Sequence, residues 1–161
     1  SEVVARIRLS NPKRVLMAGP TMWNNALRLA DLRLSDDENL IATVHHYEPF
    51  DFTHQGAEWQ EPRLPLGLDC CDARQVARIV APLEVARQWR EQHGYPVVVG
   101  EFGAYGKAPA EARRRYLTAV RREMEHRQLP WMYWELAAGF GVYDPVARAF
   151  RTEVFEPLFR R

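Results

Sequence analysis

The sequence predicts an α/β fold built on a parallel sheet, and three observations carry that expectation. Short apolar runs at residues 14–18, 39–46, 97–100 and 130–134 alternate with longer stretches whose apolar residues recur at helical spacing. Each run is closed by residues suited to chemistry or binding: Trp23-Asn24, His45-His46-Tyr47, Glu101 and Trp134-Glu135. Strands of a parallel sheet leave the core at their carboxyl ends, where ligands and reacting groups collect. Finally, no Gly-rich phosphate loop follows any strand, which weighs against a nucleotide-binding sheet.

Each element has its own signal. Residues 2–10 carry Val3, Val4, Ile7 and Leu9 and read as the end of a helix stopped by Asn11-Pro12. After the first strand, residues 24–32 read as a short helix. The second strand is followed by more than twenty residues rich in Pro, Gly and aromatics, a length that marks functional or disordered loops. Residues 72–93 place Val76, Ile79, Val80, Leu83, Ala86 and Trp89 on one apolar stripe, with Gly94 just past the end and Pro82 expected to kink or divide the helix. Residues 109–128 open with Pro109 and set Tyr116, Val120 and Met124 on a buried face. A last short helix falls near residues 152–159, and Trp89 and Trp131 read as core.

Two architectures accommodate four βα units with right-handed crossovers. One is an open doubly wound sheet. The other is a piece of an eight-stranded (β/α)8 TIM barrel, a fold that normally takes about 250 residues. Four units in 161 residues, opening inside a helix, make the second reading a half-barrel, one domain over residues 1–161.

Composition is that of an ordinary globular chain, 47% hydrophobic and 27% charged, with a formal net charge of +1. That balance gives no argument for nucleic acid or a membrane surface. The basic side is almost all arginine, placed on helix faces where ion pairs with nearby glutamates are expected, as at Arg113-Arg114-Arg115 and Arg121-Arg122. Cys70 and Cys71 are adjacent, and a bridge between neighbours demands an uncommon geometry, so they are not expected to report an oxidising compartment; a link between chains stays open. No signal peptide is visible. His45, His46 and His54 lack Asp, Glu or Cys at ligand spacing, so neither a metal nor another cofactor is expected.

Strand alternation sorts the candidate residues. His45 and Tyr47 share a face with Thr43, while His46 shares the opposite face with Val44 and is expected beneath helices. The same count puts Glu101 on the face of Val97 and Val99. It puts Trp134 with Met132, leaving Tyr133 and Glu135 opposite.

The strings GPTMWNN, HHYEPFDFTHQGAEW, VVVGEFGAYG and WMYWELAAGFGVYD, in this order and spacing, resemble the C-terminal half of glycoside hydrolase family 5, the retaining endo-β-1,4-glucanases. The resemblance covers nearly the whole chain and implies barrel strands five to eight. It implies Glu101 as catalytic nucleophile flanked by His45 and Tyr47, Trp134 as a floor for the sugar, and Trp23, Asn24 and Trp59 as further substrate contacts. Implied ligands are β-glucan or cello-oligosaccharide, and the family suggests a secreted protein. Phe50, Phe52 and Trp59 are read either as sugar-stacking or as loop anchors.

One departure matters as much. The family's acid/base glutamate lies in an Asn-Glu-Pro motif, and no such tripeptide occurs here. Retaining hydrolysis uses two carboxyl groups about 5–5.5 Å apart, and Glu101 supplies only one. The expectation is weak or absent activity unless Glu135, Glu48 or the Glu101 of a second copy serves as acid. The alternative is a noncatalytic carbohydrate-binding or self-assembling scaffold. Open sheet edges and an apolar inner face favour a homodimer or a larger symmetric assembly.

Overall fold

The computed structural model describes residues 2–160. Its elements are α1 (Glu2–Arg8), β1 (Leu16–Ala18), β2 (Leu40–His46), α2 (Ala73–His93), β3 (Val97–Phe102), α3 (Ala110–His126), an antiparallel ribbon of β4 (Tyr143–Asp144) and β5 (Ala149–Phe150), and α4 (Thr152–Phe159). Strands β1, β2 and β3 form a parallel sheet in that order, with Leu16 beside Leu40 and Ala42 beside Val97.

The expected fourth strand is reduced to a single parallel bridge between Val99 and Trp131. Its backbone nonetheless runs along β3: Met132 N–H donates to the Val99 carbonyl at 2.9 Å and Trp134 N–H to that of Phe102 at 2.9 Å. Trp134 therefore stands one chain over from Glu101.

One face of the sheet is the core. Leu40, Ala42, Val44 and His46 of β2 are buried with Val97, Val99 and Phe102 of β3. Against them pack Ile79, Leu83, Ala86 and Trp89 of α2, and Tyr116, Leu117, Val120 and Met124 of α3. The expected apolar stripes are thus the buried ones, except that Val76 and Val80 are only half-buried. The α2 helix is not divided at Pro82. It begins with a capping box in which Asp72 accepts from the Gln75 amide and the Gln75 side chain accepts in return. Several helix-face arginines form the expected ion pairs, Arg121 with Glu125 at 3.0 Å and Arg114 with Glu156 at 2.7 Å among them; pairs of this exposure add little stability.

The opposite face is partly open, although Thr43 of β2 is buried there. Met17 and Met132, on the side away from the helices, are 47% and 45% exposed.

Two expectations are corrected. The short helix expected over residues 24–32 is a 3-10 helix confined to Ala26–Asp31, and Asn24 instead ends a tight turn, Thr21–Asn24, with Met22, Trp23 and Asn24 at positive φ. Cys70 and Cys71 are joined to each other by a disulfide.

Burial of His46 beneath the helices is as alternation requires, and it pushes the ring pKa down to about 4; burial does the same to His54. The unfolded chain takes up these protons at higher pH than the folded one. The stability they contribute is therefore full above about pH 6.5 and is lost as pH falls toward about 4. The free energy of urea unfolding should drop by about 2 kcal/mol per histidine between about pH 7 and pH 5. A flat profile there, with loss beginning only where carboxylates titrate, would contradict the assignment.

Candidate active site

Four chain segments meet at the carboxyl edge of the sheet. Pairing of β2 with β3 is regular through Val44 and Val99, then slips so that His45 stands beside Glu101 and His46 beside Phe102. Gly100 is the extra residue, and a bulge of this kind re-aims the side chain that follows it. Alternation is reset at that point. Glu101 consequently leaves the face of Val97 and Val99 and joins that of His45, while Phe102 returns to the core. The simple count from the sequence placed Glu101 on the wrong face because it assumed an unbroken strand.

Gly100 can bulge because it has no side chain. A Cβ there would sit 2.3 Å from Thr43 Oγ1, on the neighbouring strand.

The bulge delivers Glu101 to two partners. Tyr47 O–H donates to Glu101 Oε2 at 3.0 Å, and His45 Nδ1 lies 3.3 Å from the same oxygen. Burial, followed by the Glu101 charge, raises the Tyr47 pKa far beyond neutral, so its hydroxyl stays a donor. Burial lowers the His45 pKa against an opposing pull from Glu101. Both contacts fall on Oε2, which leaves Oε1 as the oxygen with no hydrogen bond among the described residues. Behind His45, Asn24 Nδ2 lies 3.0 Å from Nε2.

Exposed tryptophans lie on the neighbouring segments. Trp23 is 83% exposed on the turn after β1, and Trp134 is 43% exposed. Trp59 stands farther out, edge-on to Tyr105 with centroids 4.9 Å apart. It reaches the site through an aromatic cluster in which Phe140 and His54 each pack on Tyr47, at 5.9 and 5.1 Å. The loop aromatics divide: Phe52 is fully buried core, whereas Phe50 lies on the rim, stacked on His54 at 4.1 Å.

Sequence reasoning missed two residues that hold this loop. Thr53 Oγ1 donates to the Tyr47 carbonyl at 2.7 Å, fixing the backbone of the Glu101 partner. Buried Gln55 donates to the carbonyls of Phe52 and Leu68, at 3.1 and 3.3 Å, and accepts from the Leu68 amide at 3.0 Å. A polar pair inside an aromatic-rich run was the available signal, since a buried amide must satisfy its donors and acceptor.

The other carboxylates nearby have partners. Glu48 is drawn toward α2 by Arg78 at 2.8 Å, and Glu58 is held by Lys107 and by the Tyr105 hydroxyl, which keeps its pKa down at about 2. Glu135 Oε1 accepts only a long contact from the Phe140 amide, at 3.4 Å. Among the described residues, no group of three or more His, Cys, Asp or Glu is placed to hold a metal ion. No helix among them is long and apolar enough to cross a membrane.

The site is thus a carboxylate at a strand end, approached on one oxygen by a tyrosine and a histidine, with exposed tryptophans on neighbouring segments. The profile of the family described as Cellulase (glycosyl hydrolase family 5) matches residues 1–139, and the chain belongs to that family. Endoglucanase 3 of Fibrobacter succinogenes is 27% identical over 174 residues, covering 88% of this chain and 26% of that protein. A hyperthermophilic endo-β-1,4-glucanase solved in complex with substrate superposes with a TM-score of 0.94 at 36% identity, over 99% of this chain and 52% of that one. Thermotoga maritima Cel5A in complex with cellobiose gives 0.93 at 34%, over 98% and 52%. The chain thus spans about half the length of these solved structures, and its α/β architecture is that of a partial TIM barrel.

If the close approach of Gly100 to Thr43 sets the bulge, Gly100→Ala should cost about 1–3 kcal/mol in urea unfolding, as overpacking does. Thr43→Ala should restore most of that loss in the double variant, because the next atoms around the added methyl lie 3.7 Å away or more. Additive losses would show that the contact is not the constraint.

Proposed function

We propose that this chain carries the nucleophile half of a retaining β-1,4-glucanase site. The observation that carries the reading is the placement of both Tyr47 and His45 on Oε2 of Glu101, with Oε1 left free. In the reaction, Oε1 attacks the anomeric carbon, the glycosidic C–O bond breaks, and a glycosyl ester forms on Glu101. Tyr47 and His45 fix the plane of the carboxylate for in-line attack. Trp134 supplies a flat apolar face for a glucose ring, with Trp23 and Trp59 extending the surface along a cello-oligosaccharide.

The acid half is the weaker part. The departing oxygen needs a proton, and loss of such assistance removes about 10² to 10⁴ in rate. Glu48 is committed to Arg78, which leaves Glu135, a Glu101 from a second copy, or a carboxylate on another half-barrel. The exposed Met17 and Met132 on the open sheet face favour association with such a half, and a homodimer is one way to supply it. The same exposure favours a second reading, a self-associating carbohydrate-binding scaffold without turnover.

A 2-fluoro-cellobioside with a dinitrophenolate leaving group separates the two readings, since that group departs with little help from an acid. Incubation should add one fluorocellobiosyl mass to the chain, mapped to Glu101, and Glu101→Gln should abolish the adduct. A folded chain that binds cello-oligosaccharide yet stays unlabelled would support the scaffold instead.

A further inference from the structure

We infer that Asn24 is a positioning residue: its side-chain amide donates to Nε2 of His45 and so holds the ring as the neutral Nδ1–H tautomer, aimed at Glu101. Its catalytic meaning rests on the proposed nucleophile role, but the arrangement itself is a property of the folded chain.

The acceptor, Glu101 Oε2, sets the requirement. An ionised carboxylate has no proton to give, so the 3.3 Å approach of His45 Nδ1 to Glu101 Oε2 is attractive only if Nδ1 carries the hydrogen. A neutral imidazole with Nδ1–H has a bare Nε2, which needs a donor. Asn24 Nδ2 lies 3.0 Å away. The opposite tautomer would face two acceptors toward each other at Oε2. The imidazolium is disfavoured by the burial of the ring.

The backbone is shaped around this contact. Met22, Trp23 and Asn24 have φ of 57°, 54° and 57°, a left-handed run that residues with side chains seldom adopt and that persists where surrounding structure over-determines it. The turn folds back at the end of β1, where Asn25 bridges His45 in parallel. Gly19 leaves room for the amide, because a Cβ there would lie 2.0 Å from Asn24 Oδ1. A glycine, a left-handed turn and an asparagine together place one N–H behind one ring nitrogen.

The chemical consequence concerns Glu101. With the Tyr47 hydroxyl donating to Oε2 and Nδ1–H 3.3 Å from the same oxygen, the carboxylate plane is fixed and the lone pairs of Oε1 remain for attack. A ring free to change tautomer would present a bare nitrogen to Oε2 for part of the time and loosen that orientation.

The test is a long-range proton–nitrogen correlation spectrum of the full chain labelled with 15N-histidine, at neutral pH, with His45 assigned by its loss in His45→Gln. The expected pattern is Nε2 at the position of a bare ring nitrogen and Nδ1 at that of a protonated one. Asn24→Asp is isosteric and turns the donor into an anionic acceptor. In that variant both nitrogens should be protonated, and the His45 titration midpoint should move up by about one to three pH units. Its rate of fluorocellobioside labelling should fall about tenfold, as when an orienting partner is removed from behind a site residue. A wild-type ring bare at Nδ1, or a tautomer and titration unchanged in Asn24→Asp, would overturn the inference. A chain that shows the expected spectrum yet takes no label would instead count against the nucleophile role alone.

Discussion

The pairing of His45 with Glu101 across the β2–β3 bulge is the constraint on which the site depends. Without the extra residue at Gly100, the alternation of β3 would carry Glu101 into the helix-packed core with Val97 and Val99 and turn Phe102 outward. A buried, unpaired carboxylate and an exposed phenyl ring would each be unfavourable. The bulge resolves both at once, and its position is set by the absence of a side chain where Thr43 approaches. Site geometry and core packing are thus two results of one register shift.

Around that shift the chain uses different means to hold each neighbour. Tyr47 is fixed from below by Thr53, whose loop is in turn held by Gln55. His45 is fixed from the side by Asn24, delivered by a left-handed turn. Trp134 is held by a backbone hydrogen bond to Phe102, the residue after Glu101. These supports come from local turns and loops, while the long helices α2 and α3 contribute only the packed floor. The packed core and the candidate site are therefore largely separated in space, with the core on one face of the sheet and the polar group at its carboxyl edge.

Much of this was legible in the sequence. Valines 97–99, the apolar stripes of α2 and α3, and the opposite facing of His45 and His46 follow from periods of two and 3.6, and burial agrees with them. The resemblance to family 5 identified Glu101, His45 and Tyr47 as a group, and the structure brings those three together. What was not legible has a common cause, because local pattern does not encode departures from regular geometry. A glycine in a strand signals a bulge only when its neighbour is known to come close, and Thr43 is a long-range neighbour. Met22 and Trp23 have little propensity for positive φ, so nothing local announces the left-handed turn that ends at Asn24, and Asn24 reads instead as the start of the following helix. The bridge between Cys70 and Cys71 is likewise a local geometry that spacing argues against.

Glu101 is proposed as the nucleophile, with the acid/base role left to Glu135 or to a carboxylate of another chain. The most direct measurement follows dinitrophenyl cellobioside turnover with and without azide. Dinitrophenolate needs no acid to leave, and azide needs no base to attack, so each replaces one task of an acid/base. A burst of dinitrophenolate followed by a slow phase that azide accelerates, giving cellobiosyl azide of retained β configuration, is the predicted result. Release without a burst, unaffected by azide, or unchanged in Glu101→Gln would contradict it.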